Sequence, residues 1–315
     1  MDNPRVSVVI TSYNKGQSVL RAVHSILKQT YTNIEIIVVD DFSTDNSVEL
    51  LERSSMDFIL LKHLQNKGQN AALKTGFSTA SGDFLAYLDS DDWWDPGFIE
   101  YSMIGMRGDT KHSEVDFVFS FPKGNRSISL LQNPSPSSVV EGYKIALNNL
   151  GLGRSGTFLM HRKCLEESEL FPVEKIYSHT QDNLMGLLLA KTSKFRVLDM
   201  ELLNTSVTAN SLTFQYNMTA QSLENLMSEF NSDLIENCES SIFQKHYGYI
   251  AQKYLLGNSL LAALRIMSEM TKYLHNFHDF RVFTRTLFLI IGKFVREKVG
   301  TAMVIRRIKF KRWFE

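Results

Sequence analysis

Cysteine is nearly absent. Cys164 and Cys238 are the two in 315 residues, too few for a disulfide framework, and neither sits in a cluster with zinc-ligand spacing. A reducing compartment is therefore expected. Proline is scarce at six residues and glycine unremarkable at 17, which excludes collagen-like and linker-rich chains. No apolar run reaches the roughly 18 residues of a membrane-spanning helix. The opening MDNPRVSVVI lacks the basic region and apolar stretch of a signal peptide, so a cytoplasmic location is expected. No GxGxxG follows the first apolar run and no GxxxxGK[ST] occurs, which excludes a dinucleotide fingerprint and a P-loop. What is present is ordinary: 43% hydrophobic and 22% charged residues, enough for a buried core and against intrinsic disorder.

Charge has no overall bias, with 34 basic and 34 acidic residues, but it is unevenly spread. From Arg281 to Glu315 there are ten Lys/Arg against two Asp/Glu, so this stretch carries +8 and the rest −8. Its end, MVIRRIKFKRWFE, sets Phe310, Trp313 and Phe314 among five basic residues. Basic groups beside aromatic anchors suit an anionic membrane surface; an oligomer contact or a solvated helix end suits them equally. No nucleic-acid motif precedes the tail, and no nucleic-acid partner is expected.

The first half alternates between two periods. VSVVI (6–10) and IEIIVVD (34–40) are β-branched runs, and the second is apolar on both faces, as in a strand covered on both sides. Between them Val19, Leu20, Val23, Ile26 and Leu27 recur at helical spacing. Ser43 and Asp45 are candidate caps for a helix reaching Arg53. FILLKH (58–63) and FLAYLD (84–89) are the next strands, with a helix opened by NKGQN between them. This order predicts a parallel sheet wound with helices. Asp116 to Phe121, Thr157 to His161 and Phe195 to Leu203 are later strands, with a helix from Asp182 to Lys191. Pro122 to Ser138 reads as loop or hairpin. After about Phe214 the pattern is helical throughout, which places a boundary near Asn210 to Tyr216.

Carboxylates gather where wound sheets bind ligands, at the carboxyl ends of the strands. Asp40 and Asp41 end one strand; Asp89, Asp91 and Asp92 end another in LDSDDWWDP. In Asp89-Ser90-Asp91 the two side chains share one face of an extended segment. They repel unless a cation lies between them, and oxygen-only donors suit Mg²⁺ or Mn²⁺. The plainer alternatives are a helix cap at Asp92 and a turn at Asp95-Pro96. Thr11, Ser12, Tyr13 and Asn14 end the first strand, where an aromatic beside hydroxyl and amide groups can flank a flat ring. Asp41 adds an acceptor for a ring N–H, which uracil and thymine offer at N3 and adenine does not.

These segments, VSVVITSYN, IEIIVVDDFSTDNS and NKGQNAALKTGFSTASGDFLAYLDSDDWWDPGFIE, resemble glycosyltransferase family 2, with the GT-A fold, over about residues 4 to 212. The resemblance implies transfer of a sugar from a nucleotide diphosphate with a divalent metal, Mn²⁺ or Mg²⁺, on the diphosphate. By match to the family pattern, Thr11, Tyr13 and Asp41 lie at nucleoside-binding positions, and Gly68 and Asn70 beside the nucleotide. Asp89 and Asp91 match the DxD motif of ribose and metal contacts, with Ser90 among the nucleotide contacts and Asp92 a third metal candidate. An inverting transfer needs a carboxylate to take the acceptor proton. The family places it in a Glu-Asp pair, and here HTQDNLMGLLLA puts Asp182 at that Asp, with Gln181 in place of Glu. His179 in the same segment is a loop histidine on the acceptor side. Two departures stand out: a frequent family Arg is Leu73, and a frequent family His is Thr208, before NSLT (210–213).

The expectation is thus an α/β protein: a GT-A domain over 1–212 and a helical C-terminal region with the basic tail over 213–315. Its activity would be inverting, metal-dependent glycosyl transfer, of the hexosyl or N-acetylhexosaminyl type. The donor would be a UDP-sugar or, second, a dTDP-sugar; the acceptor a glycan or lipid-linked acceptor in cell-surface polysaccharide synthesis. A homo-oligomer is compatible with this. The alternatives are a non-catalytic nucleotide-sugar-binding scaffold of a polysaccharide assembly complex and a nucleotidyltransferase.

Overall fold

The computed structural model describes residues 3–107, 114–125, 128–167, 179–206, 215–275 and 277–299. The chain divides into two compact units, Met1–Ser211 with Asn225–Cys238, and Leu212–Glu224 with Glu239–Glu315. Thr208, the NSLT segment and the tail beyond 299 lie outside the described residues.

The first unit is built on one mixed sheet. Strands β1 (Val6–Ser12), β2 (Ile34–Asp40), β3 (Ile59–Lys62) and β4 (Phe84–Asp89) are followed by β5 (Trp93–Trp94), β6 (Phe117–Pro122), β7 (Phe158–His161) and β8 (Phe195–Asn204). Their spatial order is β3-β2-β1-β4-β7-β6-β8-β5. The β3-β2-β1-β4 half is parallel, as the alternating pattern predicts. β7 runs antiparallel to both β4 and β6, and β5 antiparallel to β8.

Alternation along β1 divides the core. Val6, Val8 and Ile10 pack with Val19, Val23 and Ile26 of helix α1 (Gln17–Leu27) on one face. On the other face lies α3 (Gln69–Thr79), which follows the short α2 (Ser47–Glu52) in the chain. A Cβ on Gly76 of α3 would come 2.3 Å from Val9, so only glycine lets that helix sit this close to the sheet. The remaining helices are α4 (Phe98–Met106), α5 (Ile128–Leu131), α6 (Val139–Asn149), α7 (Lys163–Glu167) and α8 (Gln181–Thr192).

Three local expectations fail. Asp92 does not cap a helix: Trp93 and Trp94 pair with Asn204 and Leu203, and α4 starts later, after Gly97. Asp95 does make the expected turn, its carbonyl accepting the Phe98 N–H at 3.1 Å. Ser43 is drawn back onto the Asp40 carboxylate and so does not cap α2, which is preceded by Asn46. The 122–138 segment is not all loop, since it contains the single-turn α5.

In the second unit, helix α11 (Ser240–Leu256) packs on α12 (Leu260–Met270) and α13 (Phe277–Val299). Ile250, Ala251, Ile266 and Met270 form its core, and the Gln244 amide donates to the Met270 carbonyl inside it. Helix α9 (Tyr216–Glu229) begins in this unit, whereas α10 (Asn231–Asn237) belongs to the first. Among the described residues no helix is long and apolar enough to cross a membrane.

Candidate active site

Parallel pairing sets Thr11 of β1 beside Asp89 of β4, and Ser12 beside Asp40 of β2. Most of the predicted site residues therefore stand together at one end of the sheet, with Thr11 buried and Tyr13 exposed beyond the strand. Asn14 adopts φ +52° and its side-chain oxygen accepts the Thr44 N–H at 2.8 Å, which ties the β1 loop to the β2 loop. The Ser47 hydroxyl takes the N–H groups of Lys15 and Gly16 at 3.0 and 2.8 Å.

The paired aspartates after β2 have different tasks. Asp40 folds back on Ser43 and is a turn residue. Asp41 is buried and points to the loop before α3, where its oxygens accept the N–H groups of Lys67 at 2.9 Å and Gly68 at 2.7 Å. Gly68 takes φ +88°, in the left-handed region that favours glycine, which turns its N–H to that carboxylate. Asn70 lies in the first turn of α3, and Gln69 beside it donates to Asp89 at 2.6 Å. Leu73 is buried, so the helix offers no cation there, whereas Lys67 and Lys74 are exposed.

The 89–92 turn closes on itself, the Asp92 N–H donating to the Asp89 carbonyl at 3.0 Å. Burial raises the Asp89 carboxyl to about 7, and the charges of Asp92, Asp91 and Asp182 add to this against the opposing charge of Lys15. Burial also raises Asp92, to about 6, although its carboxylate accepts the Ser206 N–H at 3.0 Å. Asp91 is ion-paired with the Lys15 ammonium. Arg21 donates to the Asp91 carbonyl at 2.6 Å and lies over the Trp93 ring at 4.0 Å. The Ser90 and Ser12 hydroxyls are buried without a hydrogen-bond partner among the described residues.

Asp182 enters from a distant part of the chain. It sits in the first turn of α8, behind Thr180 and the half-buried His179, and accepts the Asn183 N–H at 2.9 Å. Burial holds its carboxyl above the usual range, opposed by that N–H and by the Arg154 charge. Arg154 belongs to GLGRSG (151–156), a loop with Gly151, Gly153 and Gly156 all at positive φ. A Cβ on Gly151 would lie 2.6 Å from the Asn183 main chain, and the Asn183 amide donates to the Leu150 carbonyl, so loop and helix start are joined. Sequence reasoning missed Arg154; the glycine spacing was its signal. It also missed Lys15, His63 and Gln69, which carry no motif of their own.

A divalent cation suits this set by donor type and by charge: Asp89, Asp91 and Asp92 are oxygen donors whose mutual repulsion is only partly offset. They are not gathered as ligands, since Gln69, Lys15 and Ser206 each engage one of them. Among the described residues no group of three His, Cys, Asp or Glu has the arrangement of a metal site.

The chain is similar to known proteins on two levels. By sequence it is 32% identical over 200 residues to the Escherichia coli UDP-Glc:alpha-D-GlcNAc-diphosphoundecaprenol beta-1,3-glucosyltransferase WfgD, covering 63% of this chain and 75% of that one. It is 47% identical over 90 residues to glycosyltransferase GlyG of Streptococcus pneumoniae, covering 28% of this chain and only 30% of that protein. By fold it is similar to S. aureus TarS 1-349 in complex with UDP-GlcNAc, at 16% identity and a TM-score of 0.56, covering 95% and 93% of the two chains. It is likewise similar to the mannosyltransferase PcManGT of Pyrobaculum calidifontis with GDP-Man and Mn²⁺, at 15% identity and 0.55, covering 94% and 87%. These neighbours are GT-A glycosyltransferases, and the likeness extends to the fold. The family model for glycosyl transferase family 2 matches residues 7–168, from β1 through β4 and its acidic turn to α7, and the chain belongs to that family.

Proposed function

We propose that this protein is an inverting, metal-dependent glycosyltransferase that moves a hexosyl or N-acetylhexosaminyl group from a UDP-sugar to a lipid-linked or glycan acceptor. The observation that carries the reading is that Asp182, from a segment far away in sequence, lies near enough to the acidic turn for its charge to help raise the Asp89 carboxyl. Thr11, Tyr13, Asp41, Gly68, Asn70 and Ser90 would take the nucleoside. Asp89 and Asp91, with Asp92 beside them, would hold Mn²⁺ or Mg²⁺, which supplies positive charge for the departing diphosphate. For that, Lys15 must give up Asp91.

Asp182 would accept the proton of the acceptor hydroxyl as that oxygen attacks the anomeric carbon. The bond from that carbon to the diphosphate oxygen breaks, UDP leaves, and the configuration inverts. Burial above the usual carboxylate range makes Asp182 a stronger base than a solvated aspartate, while Arg154 opposes full protonation. The similarity to a glucosyltransferase named for a diphosphoundecaprenol acceptor supports a lipid-linked substrate and a place in polysaccharide synthesis. Residues 1–212 would be the catalytic domain, working in the cytoplasm, with 213–315 bringing it to anionic lipid through the basic tail. Sedimentation with anionic and neutral vesicles, before and after truncation near Gly292, tests that attachment.

The Lys15–Asp91 ion pair favours one other reading, a nucleotide-sugar-binding scaffold whose acidic turn is neutralised from within. Release of free UDP from a panel of UDP-sugars, with Mn²⁺ and lipid-linked acceptors, decides between them. UDP release dependent on Asp182 supports the enzyme; nucleotide binding without release supports the scaffold.

A further inference from the structure

His63 lies just past β3, where its main-chain N–H donates to the Asp40 carbonyl at 2.9 Å. Its ring runs between two elements. Nδ1 is 2.7 Å from Asp41 Oδ1, and Nε2 is 3.0 Å from the Thr75 hydroxyl on α3. Both partners of the closer pair are deeply buried, at 6% exposure for the His63 side chain and 5% for that of Asp41. A ring needed only as filler would be apolar at this depth, because each buried nitrogen must find a partner. The Asp41 oxygens already face main-chain donors, so the carboxylate accepts from His63 and Nδ1 carries the hydrogen. Nε2 is then the acceptor for the Thr75 hydroxyl, and the chain of bonds runs in one direction, from Thr75 through His63 to Asp41.

A carboxylate offers about four lone-pair sites, two on each oxygen. On Asp41, Oδ1 takes His63 Nδ1–H and the Lys67 N–H, while Oδ2 takes the Gly68 N–H. Oδ1 is thereby full, and one site is left on Oδ2. Such a carboxylate takes a single further N–H, which is what uracil presents at N3 and cytosine does not. The main-chain bonds locate the oxygens, and His63 is the side-chain donor that fixes their rotation.

We propose that His63 is a positioning residue for nucleobase selection: through Nδ1 it holds Asp41 so that one carboxylate lone pair faces a pyrimidine ring N–H. This rests on the reading of Asp41 as the base-contacting group. The test is calorimetric titration of the full chain with UDP and CDP, for the parent, His63→Phe, His63→Asn and Asp41→Asn. Phenylalanine keeps the ring and removes the donor, whereas asparagine restores an N–H near the Nδ1 position. The UDP-over-CDP preference should fall about tenfold in His63→Phe, the size of one lost charge-assisted hydrogen bond, and return in large part in His63→Asn. A merely structural role would lower the melting temperature and leave the ratio alone, so an unchanged ratio in folded His63→Phe overturns the proposal. If Asp41→Asn keeps the parental ratio, or the parent shows no preference, the base-contact reading itself falls and takes the proposal with it. Should His63→Phe not fold, ¹⁵N spectra of the parent histidines decide: a hydrogen on Nδ1 of His63 supports the proposal, and one on Nε2 alone overturns it.

Discussion

Two carboxylates at opposite ends of the sheet are equally buried and behave in opposite ways. Glu35, at the start of β2, and Asp92, after β4, are each 8% exposed. Burial acts to raise both. At Glu35 it is overcome by hydrogen bonds from the Ser7 hydroxyl and the Ser81 main chain and hydroxyl, with Arg5 nearby, and the carboxyl ends below its usual range. At Asp92 one main-chain bond and the charges of Lys15 and Arg21 do not suffice against burial and Asp91, and at Asp89 burial is joined by the charges of Asp92, Asp91 and Asp182. Burial alone therefore does not mark a functional carboxylate; what marks it is incomplete compensation. The Glu35 end is closed: Gly82 packs so tightly on Ser7 and the Arg5 carbonyl that a Cβ would lie 2.7 Å from each. The Asp89 end is left with charge that a cationic ligand can satisfy.

The strongest way to break this contrast is at Asp182, which shares the uncompensated field. Asp182→Asn should leave UDP affinity nearly unchanged and lower transfer on the order of 10²- to 10⁴-fold, the usual contribution of a general base. Transfer at the parental rate would reduce Asp182 to an acidic residue in the first turn of α8. Glu35→Gln tests the other end. It keeps the shape but turns an amide toward donors, and should destabilise the fold by about 2 kcal/mol in urea titrations without altering UDP affinity. A change in UDP affinity there would erase the distinction between the two ends.

Asp89→Asn should show both properties in one variant. Its amide oxygen can still accept from Gln69, so the fold keeps that bond. Affinity for UDP in Mn²⁺ should fall about tenfold, while stability without metal at pH 8 should rise on the order of 1 kcal/mol, because a poorly compensated charge is gone. Loss of stability instead would mean that the acidic turn is a structural element like Glu35.

The two ends also differ in how far they could be read from sequence. The carboxylates of the candidate site were legible, since two acidic clusters follow two apolar runs of the first half of the chain. So were β1, β2 and β4, whose apolar runs need no distant partner to be recognised. Their counter-charges were not. Lys15 meets Asp91 across 76 positions and His63 meets Asp41 across 22, and no local period encodes such pairs. Trp93–Trp94 read as the lead-in to a helix for the same reason, because the strand exists only by pairing with β8. Glu35 drew no notice at all: one acidic residue in an apolar run gives no sign of whether Ser7 and Ser81 will be there to receive it.

The last difference is in pH, where the expected effect is smallest and the sign separates the two ends. A carboxyl whose pKa is higher in the folded chain binds its proton more tightly there. Its stabilising share is complete below the ordinary value of 3.8 and is lost as pH rises through about 6 for Asp92 and about 7 for Asp89. Glu35 has the opposite sign: its contribution is present above 4.5 and is lost as pH falls. Without metal, the urea midpoint should therefore decline between about pH 5 and pH 7.5, a window in which Glu35 no longer titrates. Asp89→Asn should flatten that decline and Glu35→Gln should leave its slope unchanged. Mn²⁺ added at pH 7.5 should restore the midpoint in the parent and have less effect in Asp89→Asn, since binding to the native state alone stabilises it. The same decline in Asp89→Asn as in the parent would show that the charge at this end of the sheet is already compensated, and the contrast with Glu35 would disappear.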